Sequence, residues 1–122
     1  MSKNVWITGA SSGIGRELAL LLARRGDRVA VSARRAAELD KLAAEAPGRI
    51  SAFSVDVADA AAMARAADAI EAAQGPLDLA VFNAGTHAPV EIENFSAAPF
   101  RHLMEINYMG AVNGLAVSAR RP

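Results

Sequence analysis

Eight residues near the start of the chain, Thr8-Gly9-Ala10-Ser11-Ser12-Gly13-Ile14-Gly15, have the types and spacing to hold a diphosphate. A short apolar run, Val5-Trp6-Ile7, leads into them, and Ile14, Leu18, Leu21 and Leu22 follow at helical spacing on one face. The glycines therefore sit at a strand-to-helix turn. Gly9 allows a sharp turn where a Cβ would obstruct it, Gly13 lets a ligand approach the backbone, and Gly15 lets the helix pack closely on the strand. Free N–H groups and the positive dipole end of the helix then face the loop, where an anion is stabilised. A plain Gly/Ser turn is the competing reading, and the strand before and helix after count against it.

Other chemistries find less support. His87 and His102 lack a ligand-like spacing and acidic partners, and there is no cysteine to supply a thiolate ligand or a disulfide. Lys+Arg and Asp+Glu are both 13, so no bulk charge favours nucleic acid or an anionic membrane. No apolar stretch is long enough to span a bilayer and no signal peptide is evident, so the expected location is cytoplasmic, with no nucleic acid or membrane as partner.

The elements that must position the turn alternate regularly. At 122 residues the chain is expected to be one domain, residues 1–122, with an aliphatic, alanine-rich core. Strands are expected at Asn4 to Ile7, Arg28 to Ala33, Ile50 to Val55 and Leu77 to Phe82. Helices are expected from Ile14 to Arg25, ended by Gly26; from Ala36 to Ala46, with Leu39, Leu42 and Ala43 inward; and up to Ala73. Asp59 is the N-cap of that third helix, and Met63, Ala66, Ala67 and Ile70 are its inner stripe. A fourth helix, Ala97 to Ser118 with Ser96 as its cap, is apolar nearly all round from Leu103 onward, which predicts cover on two sides. Strand–helix alternation at this spacing predicts an α/β fold: an incomplete Rossmann-like doubly wound parallel sheet of about four strands, in order 3-2-1-4, with four helices. Ser51 and Ser54 in the third strand suit a sheet edge, and the fourth strand is expected to be an open apolar edge.

The stretch Thr8 to Gly15 resembles the T-G-x-x-x-G-I-G turn of the short-chain dehydrogenase/reductase family. The resemblance continues through Asp56-Val57, Asn83-Ala84-Gly85 and Asn107, in the family's order, and covers essentially the whole chain. It implies that Thr8, Gly9, Ser11, Ser12, Gly13, Ile14 and Gly15 bind a nicotinamide cofactor, with Asp56 taking the adenine amino group and the Val57 backbone assisting. Asn83, Ala84 and Gly85 would meet the nicotinamide ribose, Asn83 also tying neighbouring strands by its amide. In the family frame the residue that reads the adenine ribose is Ala33, followed by Arg34. A guanidinium grips a 2′-phosphate where a carboxylate would repel it, so the expected cofactor is NADP(H). Each position has a plainer reading: Arg34 as the start of a solvated helix, Asp56 as a helix cap, Asn83 to Gly85 as a turn.

For catalysis, the resemblance implies that Asn107 bonds backbone and a water leading to a catalytic lysine; a helix-bend or interface asparagine is the alternative. The family's tyrosine, lysine and serine are not found. Tyr108 is the single tyrosine, with Val112 four residues later, and Ser118 follows Asn107 too soon. The expectation is a truncated, cofactor-binding portion of an oxidoreductase, its carbonyl or alcohol substrate accepted only once a C-terminal segment completes it. The rival is a non-catalytic nucleotide-binding or interaction module that dimerises through the last helix; either way a homo-oligomer is expected.

Overall fold

Successive strand side chains point to opposite faces, so a strand apolar at every position must be covered on both. Val5-Trp6-Ile7 and Val29-Ala30-Val31 are such runs, and all six residues are buried. The computed structural model describes residues 2–11, 13–83, 109–110 and 112–114. Its elements are β1 (Asn4–Thr8), α1 (Gly13–Arg24), β2 (Arg28–Ser32), α2 (Ala36–Glu45), β3 (Ile50–Ala52), α3 (Ala60–Gln74) and β4 (Leu79–Phe82), and residues 112–114 are again helical.

The strands form one sheet in the order β3-β2-β1-β4, every pair parallel. This is the expected order. The sheet is doubly wound. Val5, Ile7, Val29, Val31 and Ile50 pack with Leu22, Leu39 and Leu42, so α1 and α2 cover one face. Trp6 and Ala30 pack with Met63, Ala67 and Ile70, so α3 covers the other. Phe53 N–H donates to the Val31 carbonyl at 2.9 Å and Val55 N–H to the Ala33 carbonyl at 3.1 Å, so the β2–β3 ladder continues past Ala52 toward the expected end at Val55.

Trp6 anchors the α3 side. It is fully buried, its indole N–H donates to Ser32 Oγ at 2.9 Å, and its ring meets Phe82 edge-on at 6.0 Å. A buried indole N–H without a partner would cost about 1–3 kcal/mol, so Ser32 belongs with the tryptophan.

One expected face is turned. The sequence put Ile14, Leu18, Leu21 and Leu22 on one apolar face of α1, the face that would be expected to meet the sheet. The residues buried there are Gly15, Ala19, Leu22 and Ala23, with Leu18 half-buried, whereas Ile14 is 79% and Leu21 52% exposed. Gly15, Ala19 and Ala23 recur every fourth residue. That small stripe lets the helix axis come close to the sheet, which buries backbone as well as side chain, and the larger apolar residues are rotated out.

The third helix follows the sequence closely. Asp59 caps it, its carboxylate accepting from Ala62 N–H at 3.0 Å, and Met63, Ala67 and Ile70 are fully buried. Among the described residues, no helix is long and apolar enough to cross a membrane.

Candidate functional site

Parallel pairing brings the carboxyl ends of β1, β2 and β4 to one edge: Thr8 stands beside Ser32 on one side and Phe82 on the other. Ligands of such sheets bind outside that edge. The residues immediately beyond it are the glycine turn after β1, Ala33 and Arg34 after β2, Asp56 and Val57 after β3, and Asn83 after β4.

The three glycines of the turn occupy three different environments. Gly9 has φ 69°, a conformation that disfavours any side chain, and the chain reverses there into Ala10, whose N–H donates to the Ser32 carbonyl at 3.3 Å. Gly13 opens α1 with φ 61°, and a Cβ added there would meet nothing within 4 Å, so the space beside it is open. Gly15 is the reverse case: a Cβ would run into the Gly9 carbonyl and stand 2.7 Å from Asn83 Nδ2. Close packing is thus the requirement at Gly15, and open approach is the feature at Gly13.

Asn83 locks the arrangement. Its side-chain amide donates to the Gly9 carbonyl at 3.2 Å, tying the end of β4 to the turn after β1. Gly9 therefore keeps its reversed carbonyl satisfied while the N–H groups at the start of α1 remain turned toward the loop.

At the end of β2, Arg34 is exposed, and among the described residues no carboxylate lies within ion-pair distance of it. Its backbone is held: Ser54 Oγ lies 3.2 Å from the Ala33 carbonyl and 3.3 Å from that of Arg34, and its hydroxyl donates to this pair. Helix α2 then starts after Arg35, which makes no side-chain cap bond.

At the end of β3, the capping role belongs to Asp59, which leaves Asp56 free of it. Asp56 is exposed, with Oδ1 accepting from Ala58 N–H at 3.0 Å in a local turn. Val57 is buried against the Trp6 cluster, which fixes the depth of this loop.

Ser12, Ala84, Gly85 and Asn107 lie outside the described residues, as do Tyr108, His87 and His102. Among the described residues, no group of three or more His, Cys, Asp or Glu could hold a metal ion. Two contributors went unread in the sequence. One is Ser54, noted in the sequence only as suiting a sheet edge and not for its contact with the end of β2. The other is Asn113, whose side-chain amide donates to the Val57 carbonyl at 3.0 Å. The signal for Asn113 was present: an amide on an apolar helix must find partners, the reasoning applied to Asn107 six residues earlier.

Comparison with known proteins bears on the family of the chain. A family profile described as short chain dehydrogenase matches residues 3–120. An uncharacterized oxidoreductase of Myxococcus xanthus is 38% identical over 113 residues, covering 90% of this chain and 45% of that protein. D-threitol dehydrogenase of Mycolicibacterium smegmatis is 37% identical over 107 residues, covering 85% of this chain and 41% of that protein. The crystal structure of a short-chain dehydrogenase from Streptomyces avermitilis superposes with a TM-score of 0.89 at 34% identity, over 98% of this chain and 44% of that one. The chain spans less than half the length of each of these three.

Proposed function

The chain belongs to the short-chain dehydrogenase family, and we propose that it is the NADP(H)-binding portion of an oxidoreductase acting between a carbonyl and an alcohol. Members of this family bind nicotinamide nucleotides. The observation that carries the reading is the turn after β1, where Gly13 leaves open space beside the backbone while Gly15 and Asn83 close the opposite side. A cradle of that shape fits a diphosphate at a helix start.

The chain's own residues divide the work as follows. The turn from Thr8 to Gly15 holds the diphosphate through backbone N–H groups. Arg34, exposed and without a carboxylate partner among the described residues, neutralises the 2′-phosphate. Asp56 accepts from the adenine amino group, with the Val57 backbone beside it. By the family resemblance, Asn83, Ala84 and Gly85 would border the nicotinamide ribose, and Asn107 would bond backbone and a water. When bound, the nucleotide supplies a hydride. The proton that must meet the developing oxyanion comes from a tyrosine–lysine pair in the family.

A second reading, a nucleotide-binding module without turnover, draws on one observation: four residues after Tyr108 stands Val112, where a lysine would be needed. One titration tests the nucleotide assignment. Calorimetry of the 122-residue chain with NADPH should give saturable binding that Gly13→Val abolishes. No heat of binding with either NADPH or NADH overturns both readings.

A further inference from the structure

The loop after β3 is gripped from a distant part of the chain. Asn113, in the helical stretch 112–114, reaches across 56 positions of sequence to donate its amide Nδ2–H to the Val57 carbonyl at 3.0 Å, a part-buried contact. It can do so because Gly114 brings the helix onto the end of β4. A Cβ at Gly114 would stand 2.6 Å from Phe82 Cδ1, so the helix backbone lies directly on that ring. Phe82 in turn packs in the cluster that contains Trp6 and Val57.

The carbonyl that Asn113 grips is one end of the peptide joining Val57 to Ala58. The other end of that peptide, the Ala58 N–H, donates to Asp56 Oδ1 at 3.0 Å. The two hydrogen bonds run in the same sense through one peptide group. A donor on the carbonyl withdraws charge from it and makes the N–H a better donor, so each bond strengthens the other. The peptide plane is pinned from both ends, and the carboxylate is fixed by it. Asp56 is exposed, and its second oxygen, Oδ2, takes no hydrogen bond from the described residues.

We infer that Asn113 is a positioning residue for the adenine side of the nucleotide site, setting the carboxylate of Asp56 through the Val57–Ala58 peptide. The inference rests on the nucleotide-binding reading above and adds to it a residue from the far end of the chain. The chemistry is indirect: Asn113 need not touch the ligand. Without its amide, the Val57 carbonyl loses a part-buried partner, the peptide is free to rotate, and Oδ1 loses the donor that aims the group. The same helix that lies on Phe82 therefore tunes how well the loop after β3 holds an adenine.

The test uses the full 122-residue chain and 2′,5′-ADP, which carries the adenine and the 2′-phosphate without the nicotinamide. Asn113→Ala removes the donor, and the near-isosteric Asn113→Asp replaces it with an acceptor that the Val57 carbonyl repels. Retention of the buried Trp6 emission identifies folded protein, and Asn113→Asp supplies the measurement if the alanine variant does not fold. The expected result is a 2′,5′-ADP dissociation constant raised about threefold to tenfold, the range for one hydrogen bond. The decisive arm is the same substitution in an Asp56→Ala background, where it should change the constant by less than twofold because the carboxylate it positions is gone. An unchanged constant in folded Asn113 variants overturns the inference and leaves the nucleotide site standing. Equal losses with and without Asp56 also overturn it, because Asn113 would then act through the fold alone. An unsubstituted chain that fails to bind 2′,5′-ADP overturns the nucleotide-site reading and this inference with it.

Discussion

The Asn83 side-chain amide donates to the Gly9 carbonyl at 3.2 Å, and the same amide nitrogen stands 2.7 Å from where a Gly15 Cβ would sit. One polar contact thus closes the turn on the side away from Gly13. Gly15→Ala should be strongly destabilising even though alanine is the better helix former. The helical gain is about 1 kcal/mol, while a Cβ driven into the Gly9 carbonyl, a backbone group that cannot swing aside, costs about 3 kcal/mol or more. Thermal unfolding followed by circular dichroism should show a midpoint lower by roughly 5–15 °C. An unchanged midpoint contradicts the close approach of α1 to the turn.

Ser32→Ala tests the Trp6 anchor. The loss of the Oγ acceptor leaves the buried indole N–H unpaired, at a cost of about 1–3 kcal/mol. Trp6 is the single tryptophan, so its emission during urea unfolding reports this core directly. A smaller shift than that of an exposed control such as Ser51→Ala would refute the pairing.

Cofactor choice should follow Arg34. A paired, charged contact to the 2′-phosphate is worth about 1.5–3 kcal/mol, so NADPH should bind tighter than NADH by roughly tenfold or more. Arg34→Glu should reverse or erase the preference by weakening NADPH while sparing NADH. Equal affinities in the unsubstituted chain, measured by calorimetry, would remove Arg34 from the site.

Association is expected at the apolar surface that α1 and β4 leave open. Ile14, Leu21 and Leu79 are all exposed, and β4 is an edge of the described sheet. Light scattering at tens of micromolar should give a dimer or larger species, with Leu21→Glu and Leu79→Lys shifting it toward monomer. A monodisperse monomer before substitution would show that these residues do not drive association.

The 122 residues alone should bind nucleotide without useful turnover. Their lysines are Lys3 and Lys41, and neither is four residues from Tyr108. General acid–base help is typically worth about 10²–10⁴-fold, and its loss should leave NADPH oxidation at the buffer rate with a panel of ketones and aldehydes. Sustained turnover that vanishes in Tyr108→Phe would mean that Tyr108 has a proton-sharing partner of another type.

The sequence alone was enough for most of what repeats or caps locally. Strand–helix alternation, with the rules for parallel nucleotide-binding sheets, predicted the order β3-β2-β1-β4, and helical stripes predicted the inward Leu39 and Leu42 and the row Met63, Ala67 and Ile70. Asp59 was legible as a cap because capping is a contact between near neighbours, Asp59 with Ala62. The tertiary structure decided which of two stripes on α1 faces the sheet. Periodicity weighs apolar size and so favoured Ile14 and Leu21, whereas the sheet accepts the stripe that lets backbones approach, Gly15, Ala19 and Ala23. It also decided the partners across distant segments: Gly9 for Asn83, whose amide was expected to tie strands, Ser32 for Trp6, and Val57 for Asn113. A hydrogen bond needs two groups within about 3 Å, and for residues far apart in the chain that distance is set by how the helices and strands between them pack, which no local pattern records.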